Sequence, residues 1–454
     1  MNDHDRSPSR GDAAAGRVAG EGMSLAGLTA LAAVLTLAGM RVLVSFSVTG
    51  LDVASAGLGG GAATVGRTGA AVADALAVLT LVVALLDRLG RGASLHRALL
   101  WLWLIGAAGA GVSGWVRGDP SVALNWIGAT ALGLAAMHLA DRPAARRIMV
   151  AAVAALLVPL VAEALFEVTY LHGQTVAGYA RNRAAIAEAR GWVEGGPAQR
   201  QFERRLYENT ATGMFGLANV FASVLAGCSL VAAGAAVGLV RRRQGGGDAR
   251  WAAVAAGALA LLGVAAVLLT RSKGGVGALA IGAAMGGLAG WLALQGPRWR
   301  WAAPTLAVGL VIAAWLAIGA RGAIGPPETA EGERSLLFRW YYVEAAGRMF
   351  IEAPGLGVGP GGFQSMYARV KDPLSPEDVA APHSIFAAWG ASIGVAGLAW
   401  AAMLLGMLGR AGRCAGPPSA FAGEVGAGGE PGDESAGDAA RRRWTIVGMV
   451  TAVV

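Results

Sequence analysis

Cysteine, lysine and charge are all scarce in this chain. Of 454 residues only two are cysteines, Cys228 inside an apolar run and Cys414 in a polar stretch, and they suggest neither a disulfide framework nor a metal site. The only lysines are Lys273 and Lys371, so the net charge of +8 rests on arginine. Charged residues make up 15% of the sequence against 55% hydrophobic. That balance excludes an ordinary soluble enzyme and describes an integral membrane protein of the helical kind. The 70 glycines agree, because small residues let membrane helices approach closely. A basic balance in such a protein belongs to its cytoplasmic loops, which argues against a nucleic-acid partner. No cleavable signal peptide is evident, since the first apolar run is long enough to span. No internal repeat is evident either.

What is present is a series of apolar runs, at about 24–46, 68–86, 98–116, 121–140, 148–166, 214–240, 251–270, 274–295, 301–320 and 384–409, with another beginning near 444. The arginines fall on every second connection: Arg88, Arg91 and Arg97, then Arg142, Arg146 and Arg147, then Arg241–Arg243 and Arg250, then Arg298 and Arg300, then Arg410, Arg413 and Arg441–Arg443. The positive-inside rule then puts the N-terminus in the cytoplasm. The expected fold is all-α: a polytopic membrane protein of about 11 helices, or 12 in a longer full protein, with two sizeable periplasmic loops. Its parts are a disordered cytoplasmic tail (1–22), N-terminal spans (23–166), a periplasmic loop (167–213) and central spans (214–320). A large periplasmic loop (321–383), one span (384–409), a cytoplasmic low-complexity loop (410–443) and the start of a further span (444–454) follow. That last run is too short to cross a bilayer, so the sequence is expected to be a fragment.

The polar island Arg339–Phe386 draws attention first. Ser335 to Ile351 reads as a helix stopped by Pro354. A glycine-rich turn, GLGVGPGGF, follows, and the island closes on His383 where the next apolar run begins. Arg339 sits on the helix beside Trp340, Tyr341 and Tyr342 with no acidic residue three or four positions on. Arg348 can pair with Glu344 or Glu352, so Arg339 is the cation left over. The bland reading is an interfacial helix with an aromatic belt. A second cationic spot is the short outer connection TRSKGG, with Arg271 and Lys273 and no carboxylate nearby. It is either a snorkelling pair capping a helix C-terminus or an anion site for a phosphate-bearing lipid. His383 is the histidine at the outer membrane threshold, and a neutral imidazole there can take a proton from a hydroxyl. Arg204, Arg205 and Asn219 form a weaker group. Asn219 in an apolar run marks either a function or a helix–helix hydrogen bond.

In order and spacing these residues resemble the O-antigen ligase and polymerase superfamily of bacterial membrane glycosyltransferases, over roughly residues 205–400. The family's outer Ser-Arg-Gly element resembles Ser272-Lys273-Gly274, and its Asn at the start of a middle span resembles Asn219, with Arg205 upstream. Its Arg-bearing loop helix, Pro, Gly-x-Gly, Phe and His resemble Arg339, Pro354, Gly357-Val358-Gly359, Phe363 and His383. Two positions depart: Lys273 replaces an arginine, with Arg271 close by, and Ser384 replaces an asparagine. Which cation matters stays open, because lysine binds phosphate without the bidentate fork.

The resemblance implies transfer of a glycan from a polyprenyl (undecaprenyl) diphosphate carrier to an acceptor hydroxyl at the periplasmic face of a bacterial inner membrane, without a metal or other cofactor. Lys273 or Arg271 with Arg339 would hold the diphosphate, His383 would be the general base, and Arg205 and Asn219 could contact substrate. The acceptor could be lipid A core, a growing polysaccharide, a protein or a cell-wall polymer. The alternatives are a polysaccharide polymerase of the same superfamily and, in another class, a transporter or flippase for a lipid-linked or anionic solute. A transporter would show inverted repeats and polar groups at mid-membrane, whereas here they gather at the outer face.

Overall fold

The computed structural model of the chain describes residues 23–46, 64–240, 247–294, 305, 309–310, 312–314, 316–320, 335–373, 375 and 379–413. Expectations that fall on 1–22, Arg241–Arg243, Arg298, Arg300, Cys414, the 415–443 stretch and the run near 444 lie outside these residues.

The apolar runs become helices because a bilayer leaves backbone amides no partner but one another. They are α1 (Leu25–Leu43), α2 (Arg67–Gly90), α3 (Arg97–Val116), α4 (Pro120–Ala140), α5 (Pro143–Ala155) and α6 (Leu157–Phe166). A π-helical turn (Glu167–Leu171) leads into α7 (His172–Ala189), followed by α8 (Pro197–Tyr207) and a 3-10 turn (Gly213–Phe215). Then come α9 (Ala218–Val240), α10 (Gly247–Leu269), α11 (Lys273–Leu294), α12 (Ser335–Glu352), α13 (Phe363–Val370), α14 (Ile385–Ile393) and α15 (Val395–Arg413). The only sheet among the described residues is a two-residue parallel pairing of Ser45–Phe46 with Thr64–Val65. Eight helices among the described residues are long and apolar enough to cross a membrane. The chain is a polytopic helical membrane protein.

Three packed cores hold it together. In the first, α1–α4 close around Trp103, Trp389 and Trp400. The Trp400 indole donates to the Trp103 carbonyl at 3.2 Å, and its ring lies where a side chain on Gly106 would stand. The second joins α6, α9 and α10 through Leu157, Leu160, Phe221 and Leu225. The third packs α12 on α13 and α14 through Tyr342, Met349, Phe363 and Tyr367.

Several charges inside the bundle are paired, which offsets their desolvation cost. Arg41 of α1 bonds the buried Asp74 of α2. At the arginine-rich end, Asp87 takes Arg91 and Arg142, each at 3.0 Å, and Asp141 takes Arg88 and stands 3.3 Å from His96 Nε2.

Two apolar runs are broken where the sequence reads as continuous, and one connecting stretch is structured. The run 148–166 is two helices, because Pro159 has no amide to return to the preceding turn and the ladder breaks at Leu156. The stretch 167–213, expected as a loop between spans, is itself largely helical. The run 384–409 is also two helices. Its break is Gly394, at φ +60° with the Pro354 carbonyl where a Cβ would go; the Val395 amide donates to that carbonyl at 2.8 Å.

Candidate functional site

Helix α12 extends one residue beyond its expected end at Ile351 and presents two faces. Leu337, Tyr341, Tyr342, Ala345, Ala346 and Met349 are buried, while Arg339, Arg348 and Glu352 are exposed. Arg348 pairs with Glu344 at 2.6 Å and also donates to the Val370 carbonyl at 3.2 Å. Arg339 has no hydrogen-bond or ion-pair partner among the described residues.

The guanidinium of Arg339 reaches the TRSKGG turn. Its Nη2 lies 3.8 Å from where a Cβ on Gly274 would stand. The turn is held by Thr270, buried with its hydroxyl on the Val267 carbonyl at 2.7 Å. Ser272 caps α11 by accepting the Gly275 amide at 3.0 Å. Lys273 is therefore the first residue of a helix, not a C-terminal cap. Cations are disfavoured at that positive end, so Lys273, Arg271 and Arg339 concentrate positive charge where helix amides also point. Arg271 adopts φ +50°, a left-handed conformation that a residue with a Cβ occupies only at a cost of roughly 1–2 kcal/mol.

The start of α11 is fixed against α9: a side chain on Gly275 would collide with Ala222, one turn beyond Asn219. Asn219 is exposed in the first turn of α9 and accepts the Val220 amide at 3.0 Å. It is thus a helix-start residue rather than a bond between spans. The segment leading to it is anchored by the Ala211 amide on the Leu269 carbonyl at 3.2 Å. Glu167 secures it further, accepting the Thr212 and Gly213 amides, each at 2.8 Å. Arg205 lies on α8, and its side chain is outside the described residues. Its neighbour Arg204 stands 3.8 Å from Glu208. No hydrogen bond or ion pair among the described residues joins α8 to the cations.

His383 is the other non-glycine residue with positive φ among the described residues, at +53°. Its ring sits 5.6 Å from that of Tyr342. Arg339 and Tyr342 are three residues apart, hence neighbours on the helix surface. One helix therefore touches the cationic turn with Arg339 and the histidine with Tyr342. Ser384 caps α14 by accepting the Ala387 amide at 3.4 Å, a task an asparagine at that position also performs.

The glycine-rich segment stands elsewhere. It follows the far end of α12, about 20 Å along the axis from Arg339 at 1.5 Å per residue. The Val358 and Gly359 amides dock on the Ala391 and Ser392 carbonyls at 2.9 Å. From the other side Arg117 donates to the Gly357 carbonyl at 2.9 Å, and the Asp119 amide to the Pro360 carbonyl at 2.8 Å. The buried Ser113 hydroxyl contacts the Leu356 carbonyl at 2.5 Å and that of Ser392 at 3.0 Å. The segment is a clamp for the α14–α15 joint, not a wall of the cation cluster.

The structure thus sets the turn that carries Arg271 and Lys273 beside Arg339 at Gly274, sets His383 beside Tyr342 of the same helix, and puts Asn219 one turn from the α9–α11 contact. Sequence reasoning assigned Tyr342 only to an aromatic belt, whereas it stands on the buried face of α12, three residues from the exposed Arg339. The pairing of Asp74 with Arg41 and the anchoring by Glu167 were likewise not read from the sequence.

Residues 258–402, about a third of the chain, match the family model described as O-antigen ligase. The matched segment contains the TRSKGG turn, α12, the glycine-rich clamp and His383, and is consistent with the O-antigen ligase superfamily. Arg205 and Asn219 precede it. No curated protein and no solved structure matches the chain.

Proposed function

We propose that this O-antigen ligase-like membrane protein transfers a glycan from a polyprenyl-diphosphate carrier to an acceptor hydroxyl, at the outer face of a bacterial inner membrane. The reading rests above all on Arg339, an exposed cation beside Gly274 at the start of α11, on the same helix that backs His383. Arg339, with Arg271 or Lys273, would bind the diphosphate by charge-assisted hydrogen bonds that strengthen as charge develops on the leaving oxygen. The acceptor oxygen forms the new bond to the anomeric carbon, the bond from that carbon to the phosphate oxygen breaks, and the polyprenyl diphosphate departs with the electron pair. The hydroxyl proton passes to the His383 imidazole. These residues carry the charge and the proton without a metal. The clustered arginines of the opposite end then lie in the cytoplasm, as the positive-inside rule directs.

The test is transfer in membranes holding the protein with an undecaprenyl-diphosphate-linked glycan, comparing wild type with His383→Ala and Arg339→Ala at matched expression. Wild type should consume the donor and yield a larger product in the presence of EDTA, and both variants should not. Donor moved across the bilayer but never consumed would replace the transferase reading with a transporter. A product that grows by repeated units would instead identify a polymerase of the same chemistry.

A further inference from the structure

We infer that Tyr342 is a positioning residue for His383, setting the orientation of the imidazole relative to Arg339; this rests on the transferase reading above. Three observations converge on it. The Tyr342 side chain is buried, at 4% exposure, so its ring is fixed by packing while the His383 ring beside it is exposed. The two rings are 5.6 Å apart and inclined at 51°. Behind Tyr342 stands a column: Tyr367 meets it edge-on at 5.9 Å, and Phe363 stacks on Tyr367 at 5.7 Å. The Tyr367 hydroxyl is tied to Ser375 at 2.9 Å. The fixed Tyr342 ring stands against a histidine whose backbone is already held at positive φ.

The consequence is geometric. Because Tyr342 follows Arg339 by three residues, the helix register fixes the separation between the diphosphate cation and the proton acceptor. Without the ring the imidazole loses one wall that orients it, and the near-attack geometry is populated less often. Loss of orientation lowers turnover more than donor binding, which is the business of Arg339 and the TRSKGG turn.

Tyr342→Leu and Tyr342→Phe separate positioning from packing. Tyr342→Leu should lower kcat at least tenfold with the donor KM within about threefold of wild type, and Tyr342→Phe, which keeps the ring, should rescue most of the loss. A second measurement does not depend on turnover: carbethoxylation of His383 by diethylpyrocarbonate, followed by mass spectrometry in detergent-solubilised protein. Its rate should differ at least threefold in Tyr342→Leu and match wild type in Tyr342→Phe, with His172 as internal reference. Unchanged carbethoxylation in the leucine variant overturns the positioning role. So does a Tyr342→Leu variant as active as wild type, or a phenylalanine variant as impaired as the leucine one. If wild type transfers no glycan but the carbethoxylation pattern holds, the transferase reading fails and the Tyr342–His383 coupling stands.

Discussion

Arg339 and Gly274 face each other across the start of α11, the guanidinium Nη2 3.8 Å from the place a side chain on the glycine would begin. A Cβ on residue 274 would be in ordinary van der Waals contact with the guanidinium, so a larger, branched side chain is needed to occupy the space in front of the cation. A Gly274→Val substitution would fill it while leaving the Ser272 cap and the Gly275–Ala222 contact in place. The donor KM is expected to rise roughly tenfold, about 1.4 kcal/mol, with expression and the thermal midpoint little changed. Gly277→Ala is the control, since nothing lies within 4 Å of a Cβ there. A Gly274→Val protein with unaltered donor KM would remove this space from the substrate path.

Replacing Arg339 by lysine keeps the charge and loses the planar fork. If the guanidinium holds two phosphate oxygens at once, kcat/KM should fall roughly tenfold or more, whereas a residue of an aromatic interfacial belt would tolerate the change. The comparison is steady-state transfer by Arg339→Lys against Arg271→Lys and Lys273→Arg in the same membranes. Activity of Arg339→Lys equal to wild type would assign Arg339 to the belt.

Helix existence was legible because each apolar run has one solution in a bilayer. The expectation for Ser335–Ile351 missed the end of α12 by a single residue. Breaks were less legible. Gly394 lies between Ile393 and Val395 and looks like any small residue of a span; what stops the helix is the Pro354 carbonyl, a contact between distant segments. The region 167–213 was read as a periplasmic loop from the alternation of basic connections, which says nothing of its secondary structure, although GYARNRAAIAEAR carries the alanines of a good helix former. The cations and the histidine stood out by composition, since charge is rare here. Their meeting on one helix, and the remoteness of the glycine clamp, depend on tertiary packing and could not be read from spacing.

The clamp makes its own prediction. Gly359 has φ +94°, and a Cβ there would stand 2.7 Å from the backbone of Arg117 and Gly118. Neither the conformation nor the contact accepts alanine, so Gly359→Ala should cost about 2 kcal/mol. The measurement is thermal unfolding in detergent, with Gly347→Ala as reference because nothing lies within 4 Å of its Cβ. Equal midpoints for the two variants would mean the α3–α4 turn does not hold the segment.

At the opposite end, acid should loosen the bundle through His96. Burial, reinforced by Arg410, Arg88 and His138 and opposed by Asp141, pushes its imidazole down from 6.5 to about 4. The sign follows from proton counting. Between those two values the unfolded chain holds a proton on His96 that the folded chain refuses, so unfolding is favoured as the pH falls. The stability associated with neutral His96 is complete above pH 6.5 and is lost progressively towards pH 4. Thermal midpoints measured from pH 7.5 to 4.5 (buffer values chosen to bracket about that window) should decline more steeply for wild type than for His96→Gln, which has no proton to gain. Parallel declines would show that His96 titrates alike in both states, and the acid sensitivity would then belong to the carboxylates of the Asp87 and Asp141 ion pairs.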